Sequence, residues 1–212
     1  MTPYALEIIR LADGVPGEGV LSAREAEKYR SFKVEKRRRD WLGGRTALKL
    51  AVIGHLAPGT PAAEIEAVPD KDGRPILHIK GLPSTAPVSL THSGAYAAAA
   101  VGLGGTKAIG TDLEVVEKRS ASWAKDCFTD AELGVAGGDE AALTLLWTRK
   151  EAALKALGLG LSVDLKEIDF SSGVPKYAGH LEELWRGLGS PVLREENPAA
   201  VPPGYALTVA WI

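Results

Sequence analysis

The sequence predicts an α+β fold built from two similar helix-and-strand halves, and three internal matches lead there. Trp41-Leu42-Gly43-Gly44-Arg45-Thr46-Ala47-Leu48-Lys49 lies over Trp147-Thr148-Arg149-Lys150-Glu151-Ala152-Ala153-Leu154-Lys155 at an offset of 106, with Trp, Ala, Leu and Lys coinciding. Leu21-Ser22-Ala23-Arg24-Glu25 lies over Phe128-Thr129-Asp130-Ala131-Glu132 at 107. Each of these is an apolar residue followed by S/T-x-x-E, the pattern of a capping box that opens a helix. Leu6-Glu7-Ile8-Ile9 lies over Leu113-Glu114-Val115-Val116, again at 107. The shared order defines a unit of one strand, a capped helix, a second long helix and returning strands, used twice. Gly102-Leu103-Gly104-Gly105 is the expected joint, placing the halves at residues 1–103 and 104–212.

Within the first half, alternating or continuous apolar residues predict strands at 4–11, 76–79, 88–90 and 96–101, with a turn at 92–94. In the second they predict strands at 108–116, 166–170 and 206–212. Pro and Gly clusters mark loops at 57–61, 81–87 and 191–204. A helix over 147–157 carries Leu143, Trp147, Leu154 and Leu157 on or near one face and ends at Gly158-Leu159-Gly160-Leu161-Ser162. From Gly179 onward no motif is apparent.

With 212 residues, 45% of them hydrophobic, the chain can close a core, which argues against disorder. The single Cys127 excludes an intramolecular disulfide framework and a Cys-rich zinc site, and reads as a small buried hydrophobe in a reducing, cytoplasmic setting. No basic leader precedes a long apolar run, and the apolar stretch at 95–103 is too short to span a bilayer, so a soluble protein without a membrane partner is expected. The net charge of −2 argues against a dedicated nucleic-acid binder. It conceals an asymmetry: residues 24–49 hold ten basic and four acidic residues, leaving the remainder at −8.

Asp112 and Glu114 in Gly110-Thr111-Asp112-Leu113-Glu114 share one face of a strand while Leu113 takes the other. Either one of them points to solvent, or the pair holds a cation, for which an all-oxygen set suits Mg²⁺ rather than zinc. Glu151 and Lys155 stand one helical turn apart, as in an ordinary exposed pair or as part of a site that also uses Trp147 and Lys150. His92 ends the strand Pro87-Val88-Ser89-Leu90-Thr91-His92 as a structural residue or as a donor to a phosphate oxygen. Arg74, in the turn Asp72-Gly73-Arg74-Pro75, is a solvated residue or a phosphate ligand. The basic run at 33–39 is a solvated helix face or an anion site. The glycines 158 and 160 lack the remaining residues of a dinucleotide fingerprint or a P-loop.

Taken in order, these segments resemble the surfactin-type 4′-phosphopantetheinyl transferases. The match runs over a basic Trp-Leu-x-Gly-Arg helix, a Gly-Arg-Pro turn, a strand ending in Thr-His-Ser and Gly-x-Asp-x-Glu. Phe-Thr-x-x-Glu and Trp-x-x-Lys-Glu-x-x-x-Lys follow. The resemblance implies a pseudodimer of two α/β halves related by an approximate two-fold, with the active site at their interface, in a self-contained monomer. It implies transfer of 4′-phosphopantetheine from coenzyme A to a serine of an apo acyl or peptidyl carrier protein, with release of adenosine 3′,5′-bisphosphate. Asp112, Glu114 and Glu151 then correspond to the Mg²⁺ carboxylates. Glu151 also corresponds to a candidate base for the carrier serine, and Lys155 to the lysine on the reacting phosphate. His92 with Thr91 corresponds to a pyrophosphate contact, and Arg74 to a residue near the adenine and phosphates. Lys36, Arg39 and Arg45 are the candidates for the 3′-phosphate. Glu132 matches a glutamate near the site or simply caps its helix. In the repeat, Arg45 and Lys49 take the places of Glu151 and Lys155, so that one half binds anion and the other metal. The competing readings are a non-catalytic coenzyme A binder and a nucleic-acid module using the basic helix.

Overall fold

The structure, a computed structural model, describes residues 2–12, 17–160 and 163–212. The chain forms two compact units, Met1–Ile109 and Gly110–Ile212. The boundary thus falls just after the expected joint, because residues up to Thr106 are tied back to the first unit: the Thr106 hydroxyl donates to the Pro3 carbonyl at 2.7 Å.

In the first unit, β1 (Tyr4–Arg10) is followed by α1 (Ala23–Ser31) and the long α2 (Glu35–His55). A hairpin of β2 (Ile65–Pro69) and β3 (Pro75–Ile79) comes next, extended by the two-residue β4 (Leu82–Pro83). The chain closes with β5 (Val88–Ser93) and β6 (Tyr96–Gly102), and β6 lies in the middle of the sheet β1-β6-β5. Ala97 to Ala100 of β6 are wholly buried, and their small side chains let α2 settle close. Ala47, Leu48, Ala51 and Val52 of α2 form the core with Ile65, Leu77, Val88, Ala99 and Val101. A methyl group on Gly43 of α2 would stand 3.1 Å from Ala97 Cβ and collide with Leu11, which accounts for a glycine inside this helix.

The second unit has a related but not identical order of elements. It runs β7 (Ile109–Val115), α3 (Ala121–Cys127), α4 (Asp130–Ala136), long α5 (Glu140–Leu157), the short hairpin β8 (Ile168–Asp169) and β9 (Lys176–Tyr177), α6 (Gly179–Gly187), β10 (Arg194–Glu196) and β11 (Tyr205–Trp211). Its sheet order is β10-β11-β7, again with the last strand central and the first at one side. Phe128, Leu146, Ala153, Leu154, Leu157, Ile168, Phe170 and Leu181 make its core. Asp139 caps α5 by accepting from Ala141 N–H at 2.7 Å, and Gly158, at φ 72°, ends it in the left-handed conformation.

Both expected capping boxes form, at Ser22/Glu25 and Thr129/Glu132. Each box glutamate also receives a buried lysine. Lys49 Nζ lies 2.7 Å from Glu25 Oε2 and donates to the Ala62 and Ile65 carbonyls. Lys150 Nζ lies 2.6 Å from Glu132 Oε2 and donates to the Cys127 and Leu165 carbonyls at 3.0 and 2.8 Å. The structural counterpart of Lys49 is therefore Lys150, and the pairing of Arg45 and Lys49 with Glu151 and Lys155 is corrected. The helices differ in length, α1 and α2 having 9 and 21 residues against 7 and 18 in α4 and α5, so a match by residue type slips relative to the inward face.

Several element boundaries also differ from expectation. The turn after β5 is at Gly94-Ala95, and His92 lies within the strand opposite Ala97. The strand expected at 166–170 shrinks to Ile168–Asp169, because Asp169 Oδ1 accepts from Ser171 N–H at 2.9 Å and turns the chain. Strands β4 and β10 form inside segments expected to be loops, and β2 and β9 are further strands. The charged Arg-Glu-Glu of β10 is fixed by the Arg149–Glu195 ion pair rather than by apolar alternation. Leu161 and Ser162 of the glycine-rich helix end lie outside the described residues. Among the described residues no helix is long and apolar enough to cross a membrane.

Removing one partner of a fully buried pair leaves an uncompensated charge. Glu132→Ala is therefore expected to lower unfolding stability by about 3–5 kcal/mol, with the double change Glu132→Ala/Lys150→Met costing less than the single one, as read by urea denaturation.

Candidate active site

Chemically distinctive side chains collect at one place in each unit. In the second, Gly110 brings strand and helix together. A methyl group on it would stand 2.6 Å from Ala156 N and 2.8 Å from Lys155 Cβ and would collide with the Ala152 carbonyl, so β7 runs against the backbone of α5. Two residues on, Asp112 is buried at 5% exposure, with Glu114 half-buried beyond it and Leu113 fully buried between them. Lys155 reaches across from α5, its Nζ 2.6 Å from Asp112 Oδ1 and 3.0 Å from the Thr111 carbonyl. Arg119 Nη2 lies 3.3 Å from Glu114 Oε2, with its guanidinium 4.9 Å from the Trp123 ring centre.

Glu151 completes the set. Burial, reinforced by the negative charges of Asp112 and Glu114, outweighs the attraction of Lys155 and raises its pKa from 4.5 to about 7. Its Oε1 is buried and has no hydrogen-bond partner among the described residues. The donors are all hard carboxylate oxygens, and three such carboxylates, with the unpartnered Glu151 Oε1 among them, match the chemistry of a hard dication. Yet among the described residues no three of His, Cys, Asp and Glu are grouped closely enough to hold one ion, and two of the carboxylates carry Lys155 and Arg119. The charge fits a cation; the coordination cage is not preformed.

Trp147, expected beside the Glu151/Lys155 pair, instead packs on Trp123 with ring centres 5.3 Å apart and belongs to the core around Phe128. Glu132 serves as helix cap and as partner of Lys150, and its Oε1 accepts from Phe170 N–H at 2.9 Å. A cleft of about 120 Å³ past the end of β7 is lined by Arg119, Trp123, Glu140, Leu143 and Thr144 among others.

In the first unit the basic helix does present cations, but not all those expected. The Lys36 and Arg39 side chains are 69% and 45% exposed, and His92 on β5 is 52% exposed. Arg45 is turned inward: its guanidinium lies 4.7 Å from the Trp41 ring centre and 3.4 Å from both Glu25 Oε1 and the Ala67 carbonyl. Arg45, expected on a 3′-phosphate, is thus engaged within the unit in this structure. Thr91 is buried at 7% and alternates with His92, so the two side chains occupy opposite faces of β5. Arg74 is exposed at the tip of the β2–β3 hairpin, where its backbone N–H donates to Asp70 Oδ1 at 2.9 Å.

Sequence reasoning missed Asp40, a buried acid among the basic residues of α2, as well as Arg119 and the steric role of Gly110. The acid directly after a run of four cations, Lys36 to Arg39, was the readable sign of the first. The second and third depend on contacts across the chain.

Comparison with known proteins places the second unit. A family model described as "4′-phosphopantetheinyl transferase superfamily" matches residues 108–190, from the start of β7 through α6. A holo-[acyl-carrier-protein] synthase of Staphylococcus saprophyticus is 33% identical over 82 residues, which are 37% of this chain and 69% of that protein. The same-named protein of Staphylococcus carnosus is 36% identical over 88 residues, 40% of this chain and 74% of its own. The chain belongs to the 4′-phosphopantetheinyl transferase superfamily. A solved holo-(acyl-carrier-protein) synthase from Bacillus anthracis, in complex with CoA (3′,5′-ADP), aligns over 47% of this transferase and 92% of its own chain, with 25% identity and a TM-score of 0.39. The family match spans Asp112, Glu114, Glu132, Glu151 and Lys155 of the transferase.

Two measurements test this geometry. Gly110→Ala must push α5 from β7, and a loss of about 1–3 kcal/mol in unfolding free energy is expected for such overpacking. The raised Glu151 pKa means that the folded state holds this proton better than the unfolded state. Its contribution to stability is full below about pH 4.5 and is lost as pH rises through about 7. In chelator-containing buffer the thermal midpoint of the wild type should fall over that interval more than that of Glu151→Gln.

Proposed function

We propose that this enzyme transfers the 4′-phosphopantetheine arm of coenzyme A to a serine hydroxyl of an apo acyl or peptidyl carrier protein, with Mg²⁺, releasing adenosine 3′,5′-bisphosphate. The observation that carries the proposal is the Asp112–Lys155 contact at 2.6 Å beside a Glu151 whose pKa stands near 7, inside the segment matched to the superfamily. The relatives of that segment are named as holo-[acyl-carrier-protein] synthases.

In this reading the two units divide the work. Lys36, Arg39 and His92 of the first bind phosphate oxygens of coenzyme A, with Arg74 as a further cation at a hairpin tip. Asp112, Glu114 and Glu151 of the second would hold Mg²⁺, which when bound neutralises charge on the phosphate oxygens at the reacting centre. The Lys155 ammonium has three donors, two of them on Asp112 Oδ1 and the Thr111 carbonyl, which leaves one for the oxygen that gains charge as the P–O bond breaks. Glu151 takes up the proton of the attacking serine, directly or through a water, and a carboxylate titrating near neutrality is suited to that step. The one free cysteine, Cys127, accords with a cytoplasmic location, and one chain carrying both charge sets accords with a monomer.

The test is incubation of the protein with coenzyme A, Mg²⁺ and a panel of apo carrier domains, followed by intact-mass measurement. One carrier type or more should gain a single phosphopantetheine, and no gain on any carrier overturns the proposal. Glu151→Gln should reduce the transfer rate by about 10²–10⁴-fold while leaving the circular dichroism spectrum unchanged.

A further inference from the structure

Asp40 stands where a helix would not ordinarily place an acid. It lies inside α2 at 3% exposure, between Arg39 and Trp41. A buried carboxylate costs several kcal/mol in solvation unless it is well paired, and aspartate is a poor residue for a helix interior. Its partners are three basic side chains whose remaining surface faces water. Oδ2 lies 2.7 Å from Lys36 Nζ, one turn earlier on the same helix, and 4.0 Å from His92 Nδ1 on β5. Oδ1 takes the Nη2 and Nε of Arg39 at 3.3 and 3.4 Å. Stability explains the arrangement poorly. Lys36 and Arg39 are largely exposed, and a lysine placed N-terminal to its acid is the weaker order for a helical pair.

The geometry points to Asp40 as a positioning residue that gathers Lys36 and Arg39 of α2 and His92 of β5 into one site for a phosphate group of coenzyme A. The inference rests on the proposed function above. Lys36 and Arg39 each spend one edge on the carboxylate and keep another, and His92 stands beside them with Nδ1 4.0 Å from it. Lys36 retains two N–H donors, Arg39 retains the edge away from Nε, and an imidazole with Nδ1 toward Asp40 turns Nε2 outward. The three side chains are thereby oriented before the ligand arrives, so less side-chain entropy is lost on binding. The buried anion lowers the net positive charge of the cluster by one, and in exchange fixes where the donors point.

That trade supplies the test, because charge and positioning predict opposite signs. Asp40→Asn keeps the side-chain size and makes the cluster more positive. If charge alone governs binding, coenzyme A should bind as tightly as to the wild type or more tightly. If Asp40 positions the donors, the dissociation constant measured by calorimetry should rise about tenfold, the equivalent of one charge-assisted hydrogen bond. The KM for coenzyme A should rise similarly with kcat little changed. The Asp40→Asn change should add nothing further in a Lys36→Ala/Arg39→Ala/His92→Ala background. Unchanged or tighter binding by Asp40→Asn, with the wild type binding coenzyme A, overturns the inference and leaves the proposed function standing. Failure of the wild type to bind coenzyme A at all overturns the proposed function instead. Should Asp40→Asn unfold, Asp40→Glu, which retains the charge and displaces it by one methylene, gives the same reading.

Discussion

A lysine ammonium buried against the glutamate of a helix cap sets the geometry of each unit, and most of the functional surface follows from it. Lys150 cannot leave Glu132 without stranding two charges in a dry interior, and its other donors are taken by carbonyls on both sides of the helix. The rotation of α5 about its axis is therefore fixed. One residue along a helix is a step of about 100°, so anchoring Lys150 inward sends Glu151 sideways toward β7 and carries Lys155, one turn later, to the same side. Lys49 and Glu25 fix α2 in the same way.

Closeness of strand and helix then decides the electrostatics. Because Gly110 has no side chain, β7 and α5 approach near enough for Lys155 to reach Asp112 and for Glu151 to lose its water. Asp112 and Glu114 each have a cation in ion-pair contact, Lys155 and Arg119, whereas Glu151 Oε1 has no hydrogen-bond partner among the described residues. Burial is the largest influence on Glu151 and exceeds the pull of Lys155, so this carboxylate is driven toward neutrality. A dication entering here would relieve the same desolvation that raises the pKa, since an adjacent positive charge favours the ionised form.

The two capping boxes were legible in the sequence because such boxes are local. Ser-x-x-Glu and Thr-x-x-Glu satisfy backbone donors within one turn and need no distant partner. The Asp112/Glu114 face and the Glu151/Lys155 spacing were legible for a similar reason, being consequences of strand and helix periodicity. Matching the long helices by residue type failed because a lysine's meaning depends on which face it occupies: Lys49 and Lys155 look alike in a string, whereas one is buried on Glu25 and the other half-exposed on Asp112. Arg45 read as a surface cation for want of any sign that Trp41 and Glu25 would hold it inward. Strand β10 escaped notice because Arg194, Glu195 and Glu196 have no apolar face; a long-range ion pair to Arg149 holds it instead.

The two units keep the same buried device and differ in what their long helices show outward. The first exposes Lys36 and Arg39 around Asp40, and the second presents Glu151 and Lys155 beside a strand of acids. This separation is what physical cost predicts. Exchanging an exposed side chain usually changes stability by about 0.5 kcal/mol or less, whereas disturbing a buried ion pair costs several times that. A unit anchored by such a pair can change the sign of its surface charge without altering its fold. The near-cancelling net charge of −2 is then the sum of two opposite specialisations on one architecture rather than a mark of electrostatic indifference.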